Sequence, residues 1–339
     1  MKRKTFLSLI LLLSFLLTGC AVPVEGAAPA PTGETVKVSQ VGYYFNTVVT
    51  ITLYNPDGRL MEDLLAACDR YERLLSKTIA GSDVDRINHG GGKPVTVSPE
   101  TWQLLQDARS VWQASGGAFS VTIAPVTALW DFTGGTQRMP EAGELAATLP
   151  LVDDSRLVLG EDHTVTLPEG MMIDLGGIAK GYIADRAAEM CSGRCDGAVI
   201  NLGGNVYVTG AKPDGSLFRV GIRDPQGGEE AVKCIVSAAD TSVVTSGIYE
   251  RYFIRDGVRY HHILDPKTGI SAQSDLAGAT VVCASSVKAD AVATACIVLG
   301  SEGAMELLER LALDGLLITR DGEVITTPGF RDKYSVNMI

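Results

Sequence analysis

Between residues 198 and 283 the chain reads as a succession of short strand-like segments joined by turns such as Asp214-Gly215 and Asp256-Gly257. Tight turns can link antiparallel strands, whereas parallel strands need a long crossover, usually a helix. Strands that come in runs, not in strict alternation with helices, favour an α+β fold with mostly antiparallel sheets over a doubly wound parallel one. The flanking segments agree. Thr47–Tyr54 is rich in β-branched residues and ends at Pro56-Asp57-Gly58, and Asp321-Gly322 closes a late hairpin. Residues 59–76 predict a helix with Leu60, Leu64, Leu65, Cys68, Tyr71 and Leu75 on one stripe. Ser98-Pro99-Glu100 opens a second helix running to about Ala114, because Ser caps the free N–H groups and Pro fits the first position. Helical patterns return at 178–191, 286–299 and 301–312, and there is no internal repeat.

The N-terminus is an address. Lys2, Arg3 and Lys4 precede an apolar run from Phe6 to Leu17, followed by Leu17-Thr18-Gly19-Cys20. A cationic start, a short apolar core and small residues before a cysteine predict a lipoprotein signal peptide over 1–19, with Cys20 the lipidated first residue of the mature chain. Residues 20–35, rich in Pro, Ala and Gly, then predict a flexible tether that holds a folded domain, 36–339, at an extracytoplasmic membrane surface. Removing the signal takes away three basic residues and no acidic ones, so the formal charge moves from −11 to about −14. A chain this acidic lacks the clustered Lys and Arg that nucleic-acid binding requires. Six cysteines remain beyond Cys20, with no CxxC pair and no His near Cys191 and Cys195, which argues against zinc. Cys191 and Cys195 are free to pair or not. No later stretch reaches 18 uninterrupted apolar residues, so no further membrane span is expected.

Three segments carry chemistry. In Met172-Ile173-Asp174-Leu175-Gly176-Gly177-Ile178-Ala179-Lys180-Gly181-Tyr182, an apolar strand is expected to end in an acid, two glycines to turn the chain, and a helix to begin with Lys180 in its first turn. Glycines admit a close ligand, and the free N–H groups of a helix start attract anions; the same residues also suit an ordinary strand-to-helix turn. In Ala289-Asp290-Ala291-Val292-Ala293-Thr294-Ala295, Asp290 and Thr294 lie four apart on one helix face within an apolar stretch. A hard divalent cation accepts such oxygens, and Mg2+ commonly takes one or two carboxylates with waters and phosphates; a local cap is the plainer reading. The third segment joins Thr245-Ser246-Gly247-Ile248-Tyr249-Glu250-Arg251-Tyr252-Phe253 to His261-His262-Ile263-Leu264-Asp265-Pro266-Lys267-Thr268-Gly269. Neighbours on a strand face opposite ways, so only one of the two histidines can face a given site.

These segments, with Asn201-Leu202-Gly203-Gly204-Asn205 between them, resemble in order the signatures of the ApbE family of flavin transferases over roughly residues 41–325. The resemblance implies a T-fold-like α+β domain that moves the FMN half of FAD onto a Thr or Ser hydroxyl of a partner protein, leaving a phosphoester and releasing AMP. It implies Mg2+ held by the Gly177 carbonyl, Asp290 and Thr294. FAD would be contacted by Asp174, Lys180, the main chain near Leu264, and Gly117, Ala118 and Phe119 of Gly117-Ala118-Phe119-Ser120-Val121-Thr122-Ile123-Ala124-Pro125. Phe45 and Thr78 stand where the family has a methionine and a tyrosine against the flavin. Asn46 replaces a glycine beside Phe45, and Ser120 an aspartate after Phe119. The implied partners are extracytoplasmic flavin-accepting domains of membrane electron-transfer proteins.

Cleaving a pyrophosphate calls for charge neutralisation, which Mg2+ and Lys180 supply, and for a base, for which His262 beside Asp265 is the first candidate and His261 the second. An FAD pyrophosphatase with water as acceptor, a non-catalytic flavin-binding lipoprotein and a solute-binding lipoprotein are the competing readings. The last needs two parallel α/β lobes, which the strand clustering disfavours.

Overall fold

The computed structural model of the chain describes residues 34–228 and 230–339, and Thr35–Ile339 form one compact unit. The signal peptide, Cys20 and the tether up to residue 33 lie outside the described residues.

The strands follow the turn signals. β1 (Lys37–Tyr44) and β2 (Thr47–Tyr54) join through Phe45 and Asn46, with φ of 54° and 57°. A two-residue hairpin loop requires that left-handed backbone. β3 (Gly197–Leu202) and β4 (Asn205–Gly210) turn at Gly203-Gly204. β5 (Phe218–Arg223) pairs with β6 (Val232–Ala238), and β7 (Thr241–Gly247) follows. β8 (Tyr252–Arg255) and β9 (Val258–His261) close on Asp256-Gly257. β10 (Leu276–Cys283), β11 (Asp314–Thr319) and β12 (Val324–Thr326) follow, and the short strands Val95–Thr96, Val158–Leu159 and Thr164–Thr166 form a separate small sheet. One eight-stranded sheet runs β1-β2-β3-β4-β7-β10-β11-β12. β5 and β6 form a smaller sheet with Asn337–Met338, and β8–β9 stands alone as a hairpin. Every strand pair among the described residues is antiparallel, as the fold is α+β.

Alternation within the central strands divides two cores. Val244, Val281 and Leu317 face the helices, while Val243, Val282, Leu316 and Ile318 face the small sheet, with Phe218, Val236 and Phe330. β10 is covered on both faces, so its sequence is almost continuously apolar. The helical layer consists of α1 (Leu60–Leu75), α2 (Pro99–Ala114), α3 (Ala179–Cys191) and α4 (Ser286–Arg310). On α1 the buried stripe is Leu60, Met61, Leu64, Cys68, Tyr71 and Leu75, with Leu65 only half-buried. α4 joins the two helices expected at 286–299 and 301–312, with a break at Gly300 (φ 76°, ψ 176°) and an external cap from Asp275 Oδ1 to the Ser301 N–H at 2.9 Å. It is long and apolar enough to span a membrane, yet it packs in the domain core. All six described cysteines are thiols, and Cys195 Sγ donates to the Cys191 carbonyl at 3.6 Å.

α3 and α4 touch almost backbone to backbone. A Cβ on Gly181 would lie 2.2 Å from the Ser286 carbonyl oxygen. Asp185 on α3 accepts from the N–H groups of Ser286 (2.7 Å) and Val287 (3.0 Å), capping α4 from outside; burial pushes its carboxyl up to about 6. In an isolated helix Gly181→Ala would gain up to about 1 kcal/mol of propensity. Here overpacking outweighs it, and we expect Gly181→Ala to cost about 2 kcal/mol net in urea unfolding; an unchanged or higher midpoint would contradict this packing.

Candidate active site

The turn from Asp174 to Gly181 is built differently from the expected strand and loop. Residues 171–175 form neither helix nor strand and join no sheet. Their backbone is held by a side chain, since Asn88 accepts from the Ile173 N–H at 2.7 Å and donates to its carbonyl at 3.0 Å. The Asp174 N–H goes to the Val121 carbonyl at 2.8 Å, tying the turn to the segment after Phe119. With these groups satisfied by Asn88 and Val121, Ile173 and Asp174 need no strand partner there. The Asp174 carboxylate accepts from the Gly176 N–H (2.8 Å) and from Lys77 Nζ (2.6 Å).

Asp290, 2% exposed, faces this turn from α4. Its Oδ2 accepts from the Gly181 N–H in the first turn of α3 at 2.9 Å. Its Oδ1 has only Lys180 Nζ at 3.5 Å, and that ammonium also reaches the Gly176 carbonyl at 3.3 Å. Asp290 is therefore not a local cap on its own helix, because it caps α3. Thr294 Oγ1 lies 3.2 Å from the Asp290 carbonyl and 3.3 Å from Ser246 Oγ. A Cβ on Gly177 would sit 3.8 Å from Thr294 Oγ1 and 3.2 Å from the Phe119 ring. Gly177, Lys180, Asp290, Thr294 and Phe119 thus meet at one place, with Asp174 three residues before Gly177.

The two histidines differ in their surroundings, and only His261 lies within a strand. His261 ends β9 fully buried, its Nε2 donating to the Ala272 carbonyl at 3.0 Å. His262 points elsewhere. It is half-buried, its N–H donates to the Arg251 carbonyl at 3.0 Å, and its ring Nδ1 is buried with no hydrogen-bond partner. Burial holds His261 down to about 4. It holds His262 down to about 3, helped by the positive charges of Arg251 and Lys180. Asp265 does not orient either ring. Its carboxylate accepts from the Lys267 N–H (2.9 Å) and Thr268 hydroxyl (3.2 Å), closing its own Asp-Pro turn.

The flavin-contacting candidates spread around this centre. Gly117 (φ 83°) turns the chain after α2, Ala118 and Phe119 are buried, and the Phe119 N–H is held by Ser115 Oγ at 3.1 Å. Gly117 and Ser120 line a cleft of about 330 Å³ with Trp112, Pro266 and Lys267. A larger cleft of about 510 Å³, between Asp265 and Gly300, contains none of the candidate residues; size is a weaker guide than convergent polar groups. Leu264 buries its side chain among Val126, Trp130 and Phe253, away from the cation candidates. Phe45 donates its N–H to Glu72 Oε1 at 2.8 Å, and Thr78 Oγ1 lies 3.0 Å from Ser76 Oγ.

Four features were not read from the sequence. Lys77 pairs with Asp174 across 97 positions, Ser246 meets Thr294 across 48, and the Asn205 amide nitrogen is buried without a partner. Beside Ser120, the carboxylate of buried Asp154 accepts from the Ser120 hydroxyl (2.5 Å), the Thr122 hydroxyl (2.6 Å) and two backbone N–H groups. The acid absent at 120 stands 34 positions further on.

The family model described as ApbE family matches residues 45–317. An FAD:protein FMN transferase of Treponema pallidum (strain Nichols) is 36% identical over 294 residues, 81% of this chain and 81% of its own. One of Klebsiella pneumoniae (strain 342) is 36% identical over 292 residues, 85% and 90% of the two chains. Among solved structures, the ApbE protein of Thermotoga maritima superposes with a TM-score of 0.81 at 30% identity, covering 87% of this chain and 98% of its own. The flavin transferase ApbE from Vibrio cholerae gives 0.80 at 26% identity, covering 88% and 99%.

Folding keeps both rings neutral to about pH 4 (His261) and about 3 (His262), while unfolding returns them to the ordinary value near 6.5. The unfolded chain thus binds more protons below pH 6.5, and these two groups lower stability as pH falls through that window. In nitrogen-15 spectra of the histidine rings we expect two pairs of signals that do not move between pH 7 and 5; midpoints near 6.5 for all four rings would contradict the burial.

Proposed function

The chain belongs to the ApbE family, and from that premise we propose that it transfers the FMN moiety of FAD to a Thr or Ser hydroxyl of a partner protein, with Gly177, Asp290 and Thr294 as ligands of Mg2+. It is a transferase acting on FAD, like its relatives of the same name. The incompletely satisfied Oδ1 of buried Asp290, with Lys180 Nζ beside it, Thr294 one helical turn on and Gly177 packed near the Thr294 hydroxyl, carries this reading.

The donor set suits a hard cation: one carboxylate oxygen, one hydroxyl and one main-chain carbonyl, leaving places for water and phosphate. Among the described residues no three His, Cys, Asp or Glu side chains converge, so a zinc-type cluster finds no ligands. Magnesium here supplies neutralisation of charge developing on the phosphoryl oxygens.

The chain's own groups do the rest. Lys180, anchored at Gly176, adds a positive charge beside Asp290. Lys77 holds Asp174 and so fixes the glycine turn on which FAD rests. The acceptor oxygen bonds to the phosphorus of the FMN half, the bond from that phosphorus to the bridging oxygen breaks, and AMP leaves with that oxygen. The hydroxyl proton passes to His262. A ring neutral at physiological pH is ready to receive it, and bound pyrophosphate, being anionic, raises its proton affinity from the low resting value. His261, pinned to Ala272, serves only to hold the strand end.

Export and lipidation at Cys20, with a tether over 20–35, put this chemistry at the membrane surface where flavin-accepting domains of electron-transfer proteins reside. Cys20→Ala is expected to move the protein from the membrane to the soluble fraction with activity kept; continued sedimentation with membranes would argue against the anchor.

Activity is tested with FAD, Mg2+ and a purified threonine-bearing acceptor domain, scored by in-gel flavin fluorescence. We expect labelling that EDTA abolishes. Asp290→Asn, which keeps the shape but removes the charge, should reduce it at least about 100-fold, equivalent to about 2.7 kcal/mol, with little change in melting temperature. FMN and AMP formation without labelling would establish hydrolysis instead, and an Asp290→Asn protein as active as the parent would remove the proposed cation site.

A further inference from the structure

The hairpin β8–β9 does two things with its two faces. Phe253 and Tyr260 point inward onto Trp130 and Phe132, with ring centroids 5.2–6.5 Å apart. Tyr252 and Ile254 point outward, and Ile254 is 60% exposed. Arg259 stacks over Tyr252, its guanidinium 4.4 Å from the ring centroid. The hairpin adjoins the site, because His262 follows β9 and its N–H is bonded to the Arg251 carbonyl. The Arg251 guanidinium reaches the Asn46 carbonyl at 3.4 Å, joining the hairpin to the β1–β2 turn. There Tyr43, tied to Asn46 Oδ1 at 2.6 Å, and Val48 present another exposed apolar pair. Neither pair contributes to a core.

We propose that this face, Tyr43, Val48, Tyr252, Ile254 and Arg259, is the docking surface for the acceptor protein, and that the docking segment carries carboxylates beside its receiving hydroxyl. The inference rests on the transferase reading, since only a macromolecular acceptor must cover the surface around the site. Charge supports the choice. Residues 251–262 hold three arginines and one aspartate in a chain of formal charge −11, so an acidic segment is drawn here and repelled elsewhere. An anionic bilayer is the weaker occupant, because Asp256 sits at the apex of the hairpin and would enter it first. Exposed aromatic and Arg side chains beside apolar ones are what interface centres use.

The double variant Ile254→Asp with Arg259→Glu tests this, using a purified threonine-bearing acceptor domain that the unaltered protein labels. We expect the KM for acceptor to rise at least about tenfold, kcat at saturation to stay within about twofold, and FAD affinity by flavin fluorescence to be unchanged. Benzoylphenylalanine placed at Ile254 should crosslink to the acceptor, and placed at exposed Val158, on a separate sheet, should not. Because the crosslinker substitution keeps the hairpin apolar, it answers the question even if the charged variant folds poorly. An unchanged KM, or equal crosslinking from both positions, overturns the proposal. So does a variant whose only loss is binding to phosphatidylglycerol vesicles, or self-association in light scattering. Failure of the unaltered protein to label any acceptor removes the transferase reading itself and the docking surface with it.

Discussion

The close contact between Gly181 and the Ser286 carbonyl is the constraint on which the centre depends. It lets α3 and α4 start side by side, and each then completes the other's N-terminus. Asp185 on α3 takes two N–H groups of α4, and Asp290 on α4 takes one of α3. These free N–H groups would otherwise be buried without partners at a cost of about 1–3 kcal/mol each. The exchange also fixes what the site needs. Asp290 is oriented by one oxygen and offers the other, and Lys180 is delivered by the same helical turn that supplies the cap. Stability draws on both carboxylates, and the proposed chemistry on Asp290.

Local electrostatics run against the overall balance. The chain is acidic, yet Lys180 and Arg251 lower the proton affinity of His262, and Lys77 bonds to Asp174 at the glycine turn. In the proposed site, an anionic substrate such as FAD would meet these positive charges at the glycine turn. Like-charged surroundings discourage anions elsewhere on the surface. The same logic extends outward along the arginine-bearing hairpin toward the acceptor.

Much of this was legible in the sequence because it rests on local rules. Antiparallel pairing followed from strands in runs, and the hairpins from Asp-Gly turns. The Asp290–Thr294 face followed from helical spacing. What escaped was set by distant partners. The segment at 171–175 looks like a strand in composition, but Asn88 satisfies the backbone of Ile173 at its middle, and no local pattern announces that. Asp265 appeared to stand by for His262 because it is three positions away, whereas its carboxylate is consumed by the turn that its own Asp-Pro dipeptide creates. Asp154 beside Ser120 and Lys77 beside Asp174 are visible only once the chain is folded. Edge strand β1 was also unread, since its mostly exposed residues alternate weakly.

The central claim is that Gly177, Asp290 and Thr294 hold the cation at which FAD is cleaved. Anomalous diffraction from crystals of the protein soaked with Mn2+ and FAD tests it most directly. The account predicts a peak about 2.0–2.3 Å from Asp290 Oδ1, Thr294 Oγ1 and the Gly177 carbonyl, with a phosphate oxygen also in contact. A peak confined to the acidic cleft beside Asp275 and Glu302, or no peak at Asp290 while FAD is bound, would contradict it.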